Sequence, residues 1–503
     1  MRTLTKTLLA AVVVAGTLAA GLAIGQQTSQ PASPDAPAAP ASEAALLGGA
    51  PAALPMTPKN VRAITPPVTP VGMPVNAEAS TEVQRGEYLV KLGDCVACHT
   101  QKNGAPFAGG RPLETPFGTV LSANLTPDDT TGIGRYTPET FYRAMHEGVD
   151  KDGQHLYPAF PYNYYTRITR ADTDAMLVYF KSLPPVSHPL ERNQMPFPFK
   201  IRSLMAVWNV MFLDKGTYTD NPDKTPEWNR GAYLVEGLGH CQACHTAKNP
   251  LGGNKKNEAF QGGLFGNWYA PDITPNARTG IGAWTPDDLH EFLREGRNVH
   301  SAASGEMGEA VQFSTSQMSD ADLGAIVTYL NDLTPSPEKA VSAPDKQVMR
   351  QGEAIWGDQC AACHRTDAKG VPRYFPPLQA NAMVQQGNPT SIIHYILAGA
   401  SKAPTAKAPT QMAMPAFGWK LDDQQIAAVA TYARNSWGNA APEVKESEVS
   451  KLRKKISASY TTPAAHAAAT AAPMTRPGPG TFAPSGTSST DNGTPQAGRM
   501  ATP

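Results

Sequence analysis

This 503-residue chain lacks any surplus of charge: 43 lysines and arginines stand against 43 aspartates and glutamates, and charged residues make up only 17%. That balance argues against a nucleic-acid binder, whose phosphate-facing surface needs a basic excess. Long alternating apolar and polar stretches are missing, which counts against a strand-built core and for helices. Cysteine is scarce. Six in an exported chain would ordinarily suggest three disulfides. Their positions reject that reading, because they fall as Cys95/Cys98, Cys241/Cys244 and Cys360/Cys363, each pair followed at once by His99, His245 or His364. None is left over.

Long apolar runs are also scarce. Residues 8–25 form an uncharged apolar run behind Arg2 and Lys6, with Ala23 and Gly25 at suitable −3 and −1 positions. This has the form of a secretory signal peptide (1–25); an uncleaved membrane anchor is the alternative, since about 18 residues is near the lower limit for spanning a bilayer. Both place the rest of the chain outside the cytoplasm. Proline (47) and glycine (43) are plentiful instead. Residues 26–80 and the tail from about 461 are dominated by Pro, Ala and small polar residues, too poor in large apolar side chains to offset ordering entropy, and are expected to be disordered.

The ordered region repeats itself. "RGEYLVKLGDCVACHT" from Arg85 recurs as "RGAYLVEGLGHCQACHT" from Arg230, and "NLTPDDTTGIGRYTPETF" from Asn124 as "DITPNARTGIGAWTPDDL" from Asp272. "MRQGEAIWGDQCAACH" from Met349 is a more distant copy. Within each copy the pattern is helical: Thr137 is suited to cap a helix starting at Pro138, and Thr169 one that carries Met176, Leu177 and Phe180 on a shared face. The expected fold is all-α, with three tandem domains at 81–186, 227–336 and 345–440. An apolar inter-domain segment at 187–226 and a mostly disordered tail at 441–503 complete the chain.

Two thiols three positions apart at a helix start can both reach the vinyl groups of one haem, and the adjacent histidine is then held beneath the iron. A zinc site would need four protein ligands, whereas each pair here brings its own histidine. Three copies using every cysteine point to three covalently bound haem c groups, with His99, His245 and His364 as proximal ligands. For the distal side, Met307 in "SGEMGEA" and Met414 in "QMAMPAF" are favoured, read as lying in loops before the last helix of their repeat; Met318 and Met412 compete. Thioether ligation raises the haem potential and suits electron transfer. The first repeat breaks the pattern, because the corresponding position is Phe160, which cannot ligate iron. Met145, His146 and His155 remain. Alignment sets Met145 opposite Leu293 and His146 opposite Arg294, which favours core packing for the first and a surface or propionate contact for the second, so His155 is the expected sixth ligand. A five-coordinate first haem is the alternative.

Over roughly residues 85–453, these motifs, together with "LYPAFPY", "YFPPL", "AMPAFGWKL" and "SWGN", resemble the triple-haem cytochrome c subunits of membrane-bound dehydrogenases from acetic acid bacteria and their relatives. The resemblance implies a subunit with no catalytic residues of its own. It would pass electrons from a catalytic partner to ubiquinone on the periplasmic side of the inner membrane, within a complex that can include a small third subunit. Met307 and Met414 match the positions of that family's axial methionines. Phe160 departs from the "LYPAMPY" of the alcohol dehydrogenase type and is more similar to cytochrome subunits that accompany molybdenum-containing aldehyde or N-heterocycle dehydrogenases. The partner is thus expected to carry a molybdenum or quinone cofactor.

Between the first two repeats, "MPFPFKIRSLMAVWNVMFLDKG" gathers apolar residues flanked by Lys200, Arg202 and Lys215. It suits either a helix lying in a membrane interface or one packed on protein. A haem enzyme with an open first site, of peroxidase type, and a free electron shuttle are the competing functions. Haem propionates would make the holoprotein more acidic than its zero side-chain charge.

Overall fold

The computed structural model describes residues 82–456 apart from 191, 192 and 194. The signal segment, the 26–80 tether and the chain beyond 456 lie outside the described residues.

In the first repeat, α1 (Glu82–Leu92) leads to a short α2 (Cys95–His99), a hairpin of β1 (Pro112–Thr115) and β2 (Gly118–Leu121), α3 (Pro138–Glu147), α4 (Tyr162–Tyr165) and α5 (Arg170–Ser182). Thr137 caps α3 by accepting the Thr140 amide, with Pro138 at the first helical position, and Thr169 caps α5 through the Asp172 amide. A connecting α6 (Leu204–Phe212) follows. The second repeat runs α7 (Pro226–Tyr233), α8 (Gln242–His245), β3 (Gly263–Phe265), β4 (Trp268–Ala270), α9 (Pro286–Glu295), α10 (Gly305–Phe313) and α11 (Asp320–Asn331). The third has α12 (Lys346–Ile355), α13 (Ala361–His364), α14 (Thr390–Ala398), a minimal ladder of β5 (Ala400–Ser401) and β6 (Ala413–Met414), α15 (Asp423–Asn435) and α16 (Glu446–Lys455). The fold is helical, with three small antiparallel ladders among the described residues.

One crossing recurs in each repeat. A Cβ on Gly86 would overlap the Ala175 carbonyl, one on Gly231 the Ala325 carbonyl, and one on Gly352 the Ala428 carbonyl. Tyr179, Tyr329 or Tyr432 stands beside the glycine each time. The first helix of each repeat is therefore laid directly on its long last helix, because glycine alone permits backbones to approach so closely. The second repeat has one residue more than the first between this glycine and its cysteine pair, and a π-helical turn at Leu234–Leu238 absorbs it.

The repeats are not three separate beads. Leu89, Leu92, Phe180, Leu234, Leu238 and Leu323 belong to one core spanning the first two repeats, while Trp356, Ile393, Leu397 and Val429 form a second core in the third. The first two join through a reciprocal contact. Tyr88 donates to Asp322 at 2.6 Å, and Tyr233 donates to Asp172. Each carboxylate is also held by its own repeat's arginine, Arg85 for Asp172 and Arg230 for Asp322. This is the mutual pattern of a two-fold dimer, here within one chain.

Two expectations change. Residues 446–455, read as tail, are the helix α16, whose Val449 and Leu452 are buried in the third core. Met307 sits within α10 rather than in a loop. Among the described residues, no helix is long and apolar enough to cross a membrane.

Candidate haem sites

Each C-x-x-C-H motif occupies a short helix beneath the first helix of its repeat. The six cysteines are free thiols: Cys98 and Cys363 are exposed and the other four half-buried. Burial pushes the thiols of Cys98, Cys241, Cys244 and Cys360 up to about 12 and that of Cys95 further. Burial thus favours the thiol over the thiolate at these five positions.

The three histidines share one geometry. Nδ1 of His99 donates to the carbonyl of Ala123 at 2.7 Å, that of His245 to Pro271 at 2.7 Å, and that of His364 to Pro376 at 3.2 Å. A carbonyl can only accept, so Nδ1 carries the proton and Nε2 keeps its lone pair for a metal. Burial lowers the pKa of all three rings, which favours this neutral form. The accepting carbonyl is set by a repeated loop. Gly109 and Gly262 bond back to His99 and His245, Thr100 and Thr246 hold the amides of Phe107 and Phe260, and a hairpin then returns to Ala123 or Pro271. The third repeat replaces the hairpin with a shorter turn, in which Gly370 bonds back to His364. These acceptors were not singled out from sequence, although the echoed "NLTP" and "DITP" begin one residue beyond Ala123 and Pro271.

On the opposite side, α3 and α9 both end at a left-handed glycine, Gly148 or Gly296. Gly148 then accepts from Leu156, and Gly296 from Ala303, each at 2.7 Å. Counting on from these bonds sets Phe160 opposite Met307. Counting back from the capping residues Thr169 and Ser319 sets Ile168 opposite Met318. Ile168 and Met318 are both fully buried core residues, while Met307 only packs against the core's edge. Met318 is thereby a packing residue. Met414 on β6 packs against the third core, and Met412, on the same face of the extended chain, is half-buried.

Met145 is core, and His146 is stacked on Tyr142 at 3.8 Å with its pKa lowered by burial to about 4. His155 pairs its backbone with Val149, and its Nδ1 is buried without any protein partner. His155, in the loop that leads to Phe160, thus has a buried ring nitrogen without a protein partner, whereas Met145 and His146 have packing roles.

Arg111 links the first motif to α10 of the second repeat. It donates to the Ala97 carbonyl, inside the first motif, and to Glu309 at 2.7 Å, and it lies 3.8 Å from Glu306. These two acids flank Met307 on α10. Toward the third repeat, Ser304 pairs with Lys402, whose neighbour Ser401 lies on the ladder that carries Met414. The paired cysteines and the histidines that present Nε2 fit covalently bound haem c.

Two family models match: one for cytochrome c over residues 349–437, and one for subunit III of cbb3-type cytochrome c oxidase over residues 226–330. Cytochrome c domains are therefore present, and they imply covalently bound haem c. The chain is 41% identical to the gluconate 2-dehydrogenase cytochrome c subunit of Pantoea cypripedii, across 74% of this chain and 89% of that one. It is 40% identical to the cytochrome c subunit of the quinone alcohol dehydrogenase of Gluconacetobacter polyoxogenes, across 74% and 84%. The fructose dehydrogenase cytochrome subunit of Gluconobacter japonicus is 36% identical, across 74% of this chain and 82% of its own length. The chain belongs to the family of cytochrome c subunits of dehydrogenase complexes.

Proposed function

We propose that this chain carries three covalent haem c groups, at Cys95/Cys98, Cys241/Cys244 and Cys360/Cys363, and relays electrons from a catalytic dehydrogenase subunit to ubiquinone. The observation that carries the reading is the threefold repetition of a C-x-x-C-H histidine whose Nδ1 donates to a backbone carbonyl and whose Nε2 is left open. Haem bound there supplies a one-electron iron couple. The chain's residues would do the rest: the thiols would anchor the macrocycle, His99, His245 and His364 would bind the iron through Nε2, Met307 and Met414 would supply a second ligand at the second and third sites, and His155 would do so at the first. The three domains correspond to residues 81–186, 227–336 and 345–440, with α16 added to the last.

The partner is a dehydrogenase subunit that oxidises an alcohol, aldehyde or related substrate with a molybdenum or quinone cofactor. The complex works on the periplasmic side of the inner membrane. Alkaline pyridine spectra of the purified holoprotein should give three haems per chain, and replacing both cysteines of any one motif by alanine should remove one. Two haems in the unaltered protein would overturn the reading, as would steady oxidation of alcohols or aldehydes by the chain alone.

Phe160 at the Met307 position favours one second reading, an open and reactive first haem. Carbon monoxide distinguishes the two. With His155 as ligand, the reduced protein binds it slowly or not at all, and His155→Ala binds it fast; rapid binding by the unaltered protein supports the open site.

A further inference from the structure

The ring of Tyr165 lies between the first two sites. It is 4% exposed, and its hydroxyl donates to the carbonyl of Gly93, two residues before Cys95, at 3.2 Å. On one side its centroid is 5.5 Å from that of Phe160. On the other it stacks on His240, immediately before Cys241, at 5.5 Å and 22°. His240 reaches this place from a left-handed backbone, φ 40°, a conformation that costs a non-glycine residue on the order of 1 kcal/mol and persists only where its surroundings impose it. Asp94, at the same position in the first repeat, is also left-handed, but it contributes a carboxyl rather than a ring. A side chain at Gly93 would press on Leu238 of the second repeat, so the two repeats run in contact beside the stack.

We propose that the Tyr165–His240 stack is the bridge by which electrons cross between the first and second C-x-x-C-H sites. The proposal rests on the reading that both motifs hold haem. Tunnelling decays steeply across gaps and more gently through packed and bonded atoms. The route from the Cys95 segment through Gly93, Tyr165 and His240 to Cys241 contains only covalent bonds, one hydrogen bond and ring contact. One electron leaves the iron of one site, taking it from ferrous to ferric, and reduces the ferric iron of the other. Neither ring changes oxidation state. The Tyr165 proton points at a carbonyl, which cannot accept it, so the phenol has no base to take the proton that its own oxidation would release.

The test uses the full holoprotein and four variants. Tyr165→Leu and His240→Ala remove a ring and leave a gap that the interior refills only in part; Tyr165→Phe and His240→Phe keep one. After single-electron photoreduction, transfer between the first two haems should slow by about tenfold or more in the ring-deleted forms, which corresponds to at least one decade in rate. His240→Phe should retain the original rate, and Tyr165→Phe, which keeps the ring but loses the hydrogen bond to Gly93, should fall between the original and the ring-deleted rates. Midpoint potentials and low-spin EPR signals should be unchanged in all four. Should Tyr165→Leu fail to incorporate haem, His240→Ala decides alone. An unchanged rate in a ring-deleted variant that retains all its haems would overturn the bridge. So would loss of one low-spin signal in both His240 variants, since His240 would then be an iron ligand. Fewer than two haems on these motifs in the unaltered protein would instead defeat the underlying haem reading, and the pyridine spectrum separates that case.

Discussion

Single residues in this chain matter mostly through the one partner that each must have or must avoid. Gly86, Gly231 and Gly352 are needed because the neighbouring backbone leaves no room for a Cβ, and overpacking of this kind costs about 1–3 kcal/mol. The proximal histidines depend on the carbonyls of Ala123, Pro271 and Pro376 to fix the tautomer. His146 depends on staying neutral. Its ring is stacked on Tyr142 and lies 3.4 Å from Thr173 Oγ1, with Glu147 and Arg170 as the nearby charges, and burial takes its pKa from 6.5 to about 4. Below about pH 6.5 the unfolded chain binds a proton that the folded one refuses, so stability is full above that value and falls as pH drops toward 4. His146→Phe keeps the stack and removes the titration. Its melting temperature should therefore fall less than the unaltered protein's between about pH 7.5 and about pH 5; an equal fall in both would show that His146 has no part in acid sensitivity.

At the scale of elements, α6 has two unlike faces. Inward, Trp208 is buried and donates to the Leu251 carbonyl at 3.0 Å, and Asn209 bridges Tyr162 and the Glu147 carbonyl, so the helix ties the first repeat to the second. Outward, Ile201, Leu204, Val207, Val210 and Met211 are exposed, Val210 by 84%, beside the exposed Lys200. The segment packs on protein along one side, as one of its two readings from sequence expected, and leaves an apolar stripe on the other. Apolar residues beside a basic one suit the surface of an anionic bilayer. Val210→Glu should leave stability within about 0.5 kcal/mol of the unaltered protein's, as expected for an exposed position. It should also weaken sedimentation with anionic vesicles. Equal binding by both proteins would move this stripe from the membrane to a protein partner.

At the scale of the whole molecule, the haem motifs, the capped helices and the threefold repetition were legible because each depends on residues close in sequence. The pairing of repeats was not, because it is a long-range contact. Its signal was nonetheless present: the first two repeats carry "RGxY" at the start and an aspartate, Asp172 or Asp322, just inside the last helix. The third has Gln351, Ala354 and Gln425 in those places and has no means to join the pair. It docks instead through polar and aromatic contacts: Trp268 stacked on His394 at 3.7 Å, Ser391 bonded to Tyr269, and Arg278 to the Ala440 carbonyl. An interface of that kind transmits cooperativity less well than a shared apolar core. The holoprotein should therefore melt in two calorimetric steps, one for the joined repeats and one for the third. Asp322→Ala leaves the half-buried Arg230 and Tyr88 without their carboxylate. The expected cost of about 1.5–3 kcal/mol should fall on the first of these steps, with the third repeat's transition left where it was. A single transition displaced as a whole would mean that the three repeats fold as one.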